Sequence, residues 1–151
     1  MAEYIKAAID AVLAALAKRM PAALPVDREP IVEYGRQFTG IVANMPALYV
    51  MPRRTLFDAD AQGVENMAHE LQITLAVSGS EPGDVTDAAM IYVRAVHQAI
   101  AAADAAREIT VEGGQVGRVF VVSHDYGPLF EKGGGLARFP EIDLLVEVAE
   151  P

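Results

Sequence analysis

The sequence predicts an α+β fold: an antiparallel or mixed sheet of about four to five strands, two long helices packed on one face, and an extended arm or loop. Two stretches place apolar residues at helical spacing, and one stretch alternates apolar and polar residues. Loops rather than crossover helices separate the strands before the second helix, which favours α+β over α/β. The chain has 151 residues, so we expect a single domain over residues 1–151.

The first helix is predicted over Ala2–Arg19, where apolar residues form an amphipathic stripe. The stripe contains Ile5, Ile9, Val12, Leu13 and Leu16. Pro21 and Pro25 are expected to end the helix, because proline removes a backbone donor and clashes with the preceding turn. The polar face has too few basic residues for a membrane-surface helix, and no apolar stretch is long enough to predict a membrane span.

Short strands are predicted at Ile31–Tyr34 and Ala47–Met51, where β-branched or aromatic residues are bounded by Pro and Gly. A polar arm is expected between Arg53 and Asn66. The clearest strand is Met67–Val77, because its residues alternate between two faces. The more apolar face contains His69, Leu71, Ile73, Leu75 and Val77.

The second long helix is expected to start at Asp84, whose carboxylate can cap the first turn. Further strands are predicted at Ile109–Val111, Arg118–Ser123 and Ile142–Val148. Asp125–Gly135 contains a proline and three consecutive glycines, which indicates a mobile loop.

The net charge of −9 is unevenly distributed along the chain. Residues 1–60 contain seven acids and seven bases, whereas residues 61–151 contain fourteen acids and five bases. Tight binding to nucleic acid is not expected, because it requires clustered Lys and Arg residues that neutralise phosphates. The acidic surplus is explained most simply as keeping an alanine-rich surface soluble.

The residues with reactive side chains form no pattern typical of catalysis or metal binding. The chain has no cysteine, so thiolate chemistry is excluded. His69, His97 and His124 lack the spacing of shared metal ligands. Ser123, His124 and Asp125 are consecutive on a predicted strand, where neighbours point to opposite faces, so they cannot form a triad. We therefore expect no enzymatic activity, no metal and no cofactor.

Four stretches in their order along the chain resemble the tail terminator, or tail completion, family of long-tailed bacteriophages. They read ALYVMPRRT at residues 47–55, HELQITLAVSG at 69–79, DVTDAAMIYVRAVHQAI at 84–100 and EIDLLVEVAE at 141–150. The resemblance covers nearly the full chain through its length and the order of its predicted elements.

This resemblance implies a structural protein without catalytic activity. Such a protein assembles as a ring, expected to be a homohexamer, at the head-proximal end of the tail tube. There it ends tube growth and provides the head-tail joining surface. Its implied partners are other copies of itself, the tail tube protein and the head-tail connector protein, and DNA passes through the lumen without specific binding. The implied location is the tail of the virion, assembled in the host cytoplasm without a membrane partner.

Two groups of residues are the candidate partner contacts if the resemblance holds. The arm contributes Arg53, Arg54, Leu56 and Phe57, and the loop contributes Leu129, Phe130, Leu136 and Phe139. A solvated arm and burial of the apolar residues in the core are the plain structural alternatives for these positions.

Other functions remain open from the sequence. The chain could be another head-tail connector, neck or minor tail protein with a similar ring. It could also be a small enzyme or ligand-binding α+β domain, with His124, Asp125 and Tyr126 near its pocket. A third alternative is a dimeric adaptor that acts alone.

Overall fold

The computed structural model describes residues 2–37, 44–59, 65–111, 115–132 and 135–149. Over these ranges the chain forms two helices and seven strands. They are α1 (Ala2–Ala23), β1 (Glu33–Gly35), β2 (Ala47–Ala59), β3 (Glu65–Gly79), α2 (Pro82–Ala105), β4 (Gln115–Asp125), β5 (Leu129–Lys132), β6 (Gly135–Arg138) and β7 (Glu141–Ala149).

The strands form one mixed sheet centred on β3. On one side β3 pairs with β2, and β1 adds to β2 in parallel at its beginning. On the other side β3 pairs with β7 and, at its carboxyl end, with β6. β4 pairs with β7, and β5 pairs with β6. These four strands form one long antiparallel hairpin, in which β4 and β5 make up one side, β6 and β7 make up the other, and each side is interrupted once. The predicted α+β class is confirmed, with a sheet larger than the four to five strands expected.

Both helices contact the same face of the sheet and contact each other, α1 lying over β2 and α2 over β3 and β4. The alternation in β3 produces this packing, since its more apolar face is directed at the helices. Residues of that face, including Leu71, Ile73 and Leu75, are fully buried with Leu48 of β2 and Ile142 of β7. We call the side of the sheet away from the helices its outer face.

A smaller buried cluster lies on the outer face. It consists of Ala47, Tyr49 and Ala76, with Met45 and Phe139 packed against it. The outer face is therefore apolar at the end of the sheet where β2 begins.

Several predicted element limits were wrong, and β3, β4 and β7 each extend beyond the predicted strand at both ends. α1 continues through Pro21 to Ala23, because Met20 is buried and its carbonyl accepts a hydrogen bond from the Leu24 N–H at 3.0 Å, which completes the last turn. α2 begins at Pro82 rather than Asp84, since proline suits the first helical position. β1 covers Glu33–Gly35 instead of Ile31–Tyr34, because Ile31 packs into the core ahead of the strand.

The prediction of a strand at Ile109–Val111 was also wrong. Ile109 and Val111 are both buried, but the segment is not a strand. Their apolar side chains hold the connection that follows α2 against the protein interior. The apolar run therefore reflects burial in the core and not pairing with another strand.

Strands occupy much of the expected polar arm and part of the expected mobile loop, and residues 60–64 of the arm and 133–134 of the loop lie outside the described residues. β2 extends through Arg53 and Phe57 to Ala59 and pairs with β3 along this length. A bulge between Pro52 and Arg54 shifts the alternation there, which hides the strand from a search for a period of two. Within the region predicted as a loop, Leu129–Lys132 forms β5, which pairs with β6 (Gly135–Arg138) that begins at the last residue of that region.

Candidate partner-binding surfaces

The two predicted arginines of β2 lie across the outer face of the sheet in ion pairs. Arg54 donates from Nε to Oε2 of Glu70 at 2.6 Å and from Nη2 to Oε1 at 3.0 Å. Arg53 Nη1 lies 2.7 Å from Oδ2 of Asp143. Both guanidinium groups belong to exposed side chains, so each retains donors that point to solvent. The hydrogen bonds from Arg54 lower the pKa of Glu70.

These pairs belong to a row of polar side chains that crosses four strands. Ser123 of β4 donates its hydroxyl to Oδ2 of Asp143 at 3.0 Å. The other carboxylate oxygen of Asp143, Oδ1, is buried without a hydrogen-bond partner among the described residues. We call Arg53, Arg54, Glu70, Asp143 and Ser123 the charged row. It fixes two arginines near one margin of the sheet, in positions suited to contact carboxylates or backbone carbonyls of a partner.

The other two candidates on β2 follow the charged row. Leu56 is opposite Ala68 on the outer face and is 43% exposed. Phe57 is opposite Met67 in the strand ladder, but its side chain lies outside the described residues.

A second set of exposed apolar residues lies on the strand at the opposite margin. Leu129 and Phe130 of β5 were predicted from the sequence and are exposed. Val122 of β4 and Tyr126, which follows β4, are also exposed but were not selected from the sequence. We call Val122, Tyr126, Leu129 and Phe130 the apolar margin. Val122 is 58% exposed because a bulge between Val121 and Ser123 turns it away from the core, and nothing in the local sequence signals that bulge.

The last two predicted residues are half-buried and do not belong to the apolar margin. Leu136 is half-buried against the main core. Phe139 is half-buried against the outer-face cluster, and its ring centroid lies 5.6 Å from that of Phe130. The structure thus separates Leu129 and Phe130, which are exposed, from Leu136 and Phe139, which support them.

The segment between β4 and β5 is held in a fixed bend. Gly127 adopts a φ of 71°, in the left-handed region that favours glycine. Its N–H donates to Oδ1 of Asp125 at 2.7 Å, and its carbonyl accepts a hydrogen bond from Nη1 of Arg138. This bend fixes the connection between β4 and β5, which contains Tyr126.

Two of the histidines meet at the side of the sheet that faces α2. His97 Nε2 lies 3.1 Å from His124 Nδ1, and the ring of Tyr126 packs edgewise on His124. Burial, and secondarily the proximity of His124, lower the pKa of His97. His124 thus points to the helices whereas Ser123 points to the outer face, which confirms the prediction that Ser123, His124 and Asp125 cannot align as a triad.

The third histidine is part of the core. His69 is buried, and its Nδ1 lies 3.0 Å from the Thr55 hydroxyl across the strand pair. Burial lowers the pKa of His69. Among the described residues, no group of three His, Cys, Asp or Glu side chains is arranged to hold a metal ion.

A hollow of about 350 Å³ lies between α2 and the connector after α1, lined in part by Asp27, Arg28, Met45 and Tyr92. The Tyr92 hydroxyl there already donates to the Glu29 carbonyl at 2.5 Å. This hollow is not the pocket near His124 and Tyr126 that a ligand-binding domain was expected to have. Neither described helix is long and apolar enough to cross a bilayer.

No family model matches the sequence, and no curated protein matches it. Among solved structures, 26 chains match. One belongs to a structure entitled "Virion of native gene transfer agent (GTA) particle". The TM-score is 0.52 with 16% sequence identity, and the alignment covers 91% of this chain and 97% of that chain. At this identity, the likeness shows a shared fold.

Proposed function

We propose that the chain is a structural protein of a phage-like virion, namely the tail terminator. In this role it forms a ring, of six copies, on the head-proximal end of the tail tube. The ring ends tube growth and presents the surface to which the head is joined. The likeness to a chain of a gene transfer agent virion carries this proposal, because it extends over 91% of this chain and 97% of that one.

The order of the sequence stretches that resemble tail terminators supports the finer assignment. The element order expected from that resemblance agrees with the fold in its main features: a first helix, a long strand pair, a second long helix and closing strands. The proposed role needs a rigid body with surfaces for several partners, which an α+β sheet backed by two helices provides.

The exposed residues at the two margins of the sheet support a protein that works by contact. Large exposed apolar patches on soluble proteins mark surfaces that bind a partner. The apolar margin includes Val122 and Phe130, which are 58% and 46% exposed. The side chains of the charged row bind one another across strands. This arrangement is typical of a surface with a structural role.

The acidic surplus has a place in this proposal. A negatively charged lumen lets DNA pass without adsorbing, because like charges repel phosphates. Acids that line the lumen are to be reversed to lysine in a test of DNA passage, and we expect retention of DNA during ejection. Ejection as fast as in the unmodified particle would contradict a role for these acids.

The proposed function is tested with the tail tube protein of the same particle. Tubes are polymerised with and without the purified protein and imaged by negative-stain electron microscopy. We expect tubes of limited length that carry added density at one end. Tubes unchanged in length and without added density would overturn the terminator assignment. Added density at the head connector but not at tube ends would instead identify another neck protein.

A further inference from the structure

The free edge of β4–β5 is available for strand pairing over most of its length. Among the described residues, β4 pairs only with β7, and β5 pairs only with β6. Near the beginning of β4, the Val119 N–H is occupied, since it donates to Oδ1 of Asp104 in the last turn of α2 at 2.9 Å. Beyond Val119 the free edge carries the apolar margin. An open edge with exposed apolar side chains is a template for an added strand.

The other margin of the sheet is β2, and it is open only in its second half. β1 pairs with Ala47–Tyr49, at the beginning of β2. Pro52 and the adjoining bulge follow, and both interrupt regular pairing. In the described part of the chain no strand pairs with β2 on this side beyond Pro52. The free stretch carries Arg53, Arg54 and the exposed Leu56.

The two open edges run in opposite directions. β2 is antiparallel to β3, β3 to β7, and β7 to β4, so β4 is antiparallel to β2. In a ring of identical copies whose strands are tilted from the ring axis, β2 of one copy meets β4 of the next. The resulting pair is antiparallel, the arrangement that dominates in sheets and has the stronger hydrogen-bond geometry.

The two open edges lie at different levels along the strands, so contact between copies requires a stagger. Arg54 of β2 and Phe120 of β4 lie at the same level on the two margins. The strand registers that connect them pass from Arg54 to Glu70, then to Leu145, then to Phe120. The open stretches extend from this level towards opposite ends of the sheet. Pairing between copies is therefore staggered, as closure of tilted strands requires.

Charge favours the pairing of unlike edges over the pairing of like edges. Asp125 of β4 and Glu131 of β5 are exposed on the β4–β5 edge, and the exposed Glu141 lies on the adjoining strand β7. Two copies joined through this edge alone would bring these acids together, which is unfavourable. The β2 margin instead brings the exposed guanidinium groups of Arg53 and Arg54.

We propose that the second half of β2 in one copy of this chain adds, as an antiparallel strand, to the free edge of β4–β5 in the next copy. Leu56 then packs on the apolar margin, and Arg53 and Arg54 face the acids beside it. The contact is heterologous, so repetition closes a ring rather than a dimer. This inference rests on the proposed function, which supplies the ring.

The absence of cysteine in the sequence allows a direct test by cross-linking. Leu56→Cys and Val122→Cys are introduced together and separately, and each protein is assembled on tail tubes and treated with a short bismaleimide. We expect the double variant to shift from the monomer band to a ladder of multimers that ends at the ring size. Each single variant is expected to stay monomeric, since neither residue meets its own copy in a heterologous contact.

Three outcomes would overturn the inference. Dimers from Val122→Cys alone would show pairing of like edges. Capped tubes without any ladder from the double variant would show a ring held by other surfaces and would leave the terminator proposal intact. If the variant with both Leu56→Cys and Val122→Cys does not cap tubes, the pair Arg54→Cys and Tyr126→Cys tests the same contact. Capped tubes on which this second pair does not cross-link would also overturn the inference. Uncapped tubes with the unmodified protein contradict the proposed function itself.

Discussion

Gly127 lies against the backbone of Phe139, so closely that a Cβ at Gly127 would be 2.7 Å from the Phe139 carbonyl oxygen. The two residues face each other where both strands of the long hairpin are interrupted, between β4 and β5 and between β6 and β7. The N–H and the carbonyl of Gly127 are both hydrogen-bonded, to Asp125 and Arg138. The interruption is thus a fixed bend on which the position of the apolar margin depends.

Gly127→Ala is expected to destabilise the protein. The methyl group would meet the Phe139 carbonyl, and the φ of 71° is unfavourable for alanine. We expect the free energy of unfolding to fall by about 1–3 kcal/mol in denaturant titration. Gly83→Ala is the matched control, because nothing lies within 4 Å of a Cβ there and alanine suits a helix. Equal stability of the two variants would contradict the role of the bend.

The sequence predicts the parts of the fold whose periodicity is regular. The alternation of β3 and the apolar stripes of α1 and α2 follow from burial on one face, so the class and the helix-backed sheet could be predicted. The second half of β2 could not, because its partners are polar: Arg54 is paired with Glu70 and Thr55 with His69. Such pairs stabilise a strand without producing an apolar alternation.

The candidate surfaces were predicted in part for the same reason. Leu129 and Phe130 stood out because they interrupt a polar, glycine-rich stretch. Val122 did not, since it follows Val121 in an ordinary apolar run and becomes exposed only through a bulge. Phe139 looked like a loop residue, but strand pairing on either side of it carries it onto the outer-face cluster.

Acid is expected to weaken the contact between α1 and the segment after α2. Glu108 accepts hydrogen bonds from Nε of Arg19 at 2.9 Å and from Nζ of Lys18 at 3.0 Å. These bonds, chiefly those from Arg19, lower the pKa of Glu108 from 4.5 to about 2. Because the folded pKa lies below the unfolded one, the stabilisation is fully present above pH 4.5 and is lost as the pH falls towards 2.

Glu108→Gln tests this linkage. The variant is expected to be less stable than the unmodified protein at neutral pH and to lose less stability between pH 4.5 and 2. Thermal unfolding across this range measures both effects. Glu81→Gln, at an exposed position before α2, serves as the control and should keep the acid dependence of the unmodified protein. Parallel pH profiles for Glu108→Gln and the unmodified protein would refute the assignment.

Asp104 is expected to protect the first part of β4. Its Oδ1 accepts the Val119 N–H at 2.9 Å, so Asp104→Ala would leave that amide without its acceptor. We expect faster hydrogen exchange at Val119 and a loss of about 1–2 kcal/mol in stability. Asp104→Asn keeps an acceptor oxygen and should preserve slow exchange. If exchange at Val119 is the same in all three proteins, the hydrogen bond does not protect this edge.

Arg54 is expected to matter for assembly more than for folding. Its pair with Glu70 is exposed on the arginine side, and exposed ion pairs contribute little to stability. Arg54→Gln should therefore leave the melting temperature nearly unchanged but lower the fraction of capped tubes. Arg94→Gln, on the exposed surface of α2, is the matched control and should cap tubes normally. Equal capping by both variants would remove Arg54 from the contact surface.

Phe130 and Phe139 are expected to separate assembly from stability, although their rings lie 5.6 Å apart. Phe130 is 46% exposed, so Phe130→Ala removes little buried area and should fold with nearly unchanged stability while capping tubes poorly. Phe139 packs on Ala47, Tyr49 and Ala76, so Phe139→Ala should lower the free energy of unfolding by about 2 kcal/mol. Denaturant titration and tube imaging on the same preparations measure the two effects. The reverse pattern, with Phe130→Ala unstable but competent in capping, would place Phe130 in the core and remove the apolar margin as a partner surface.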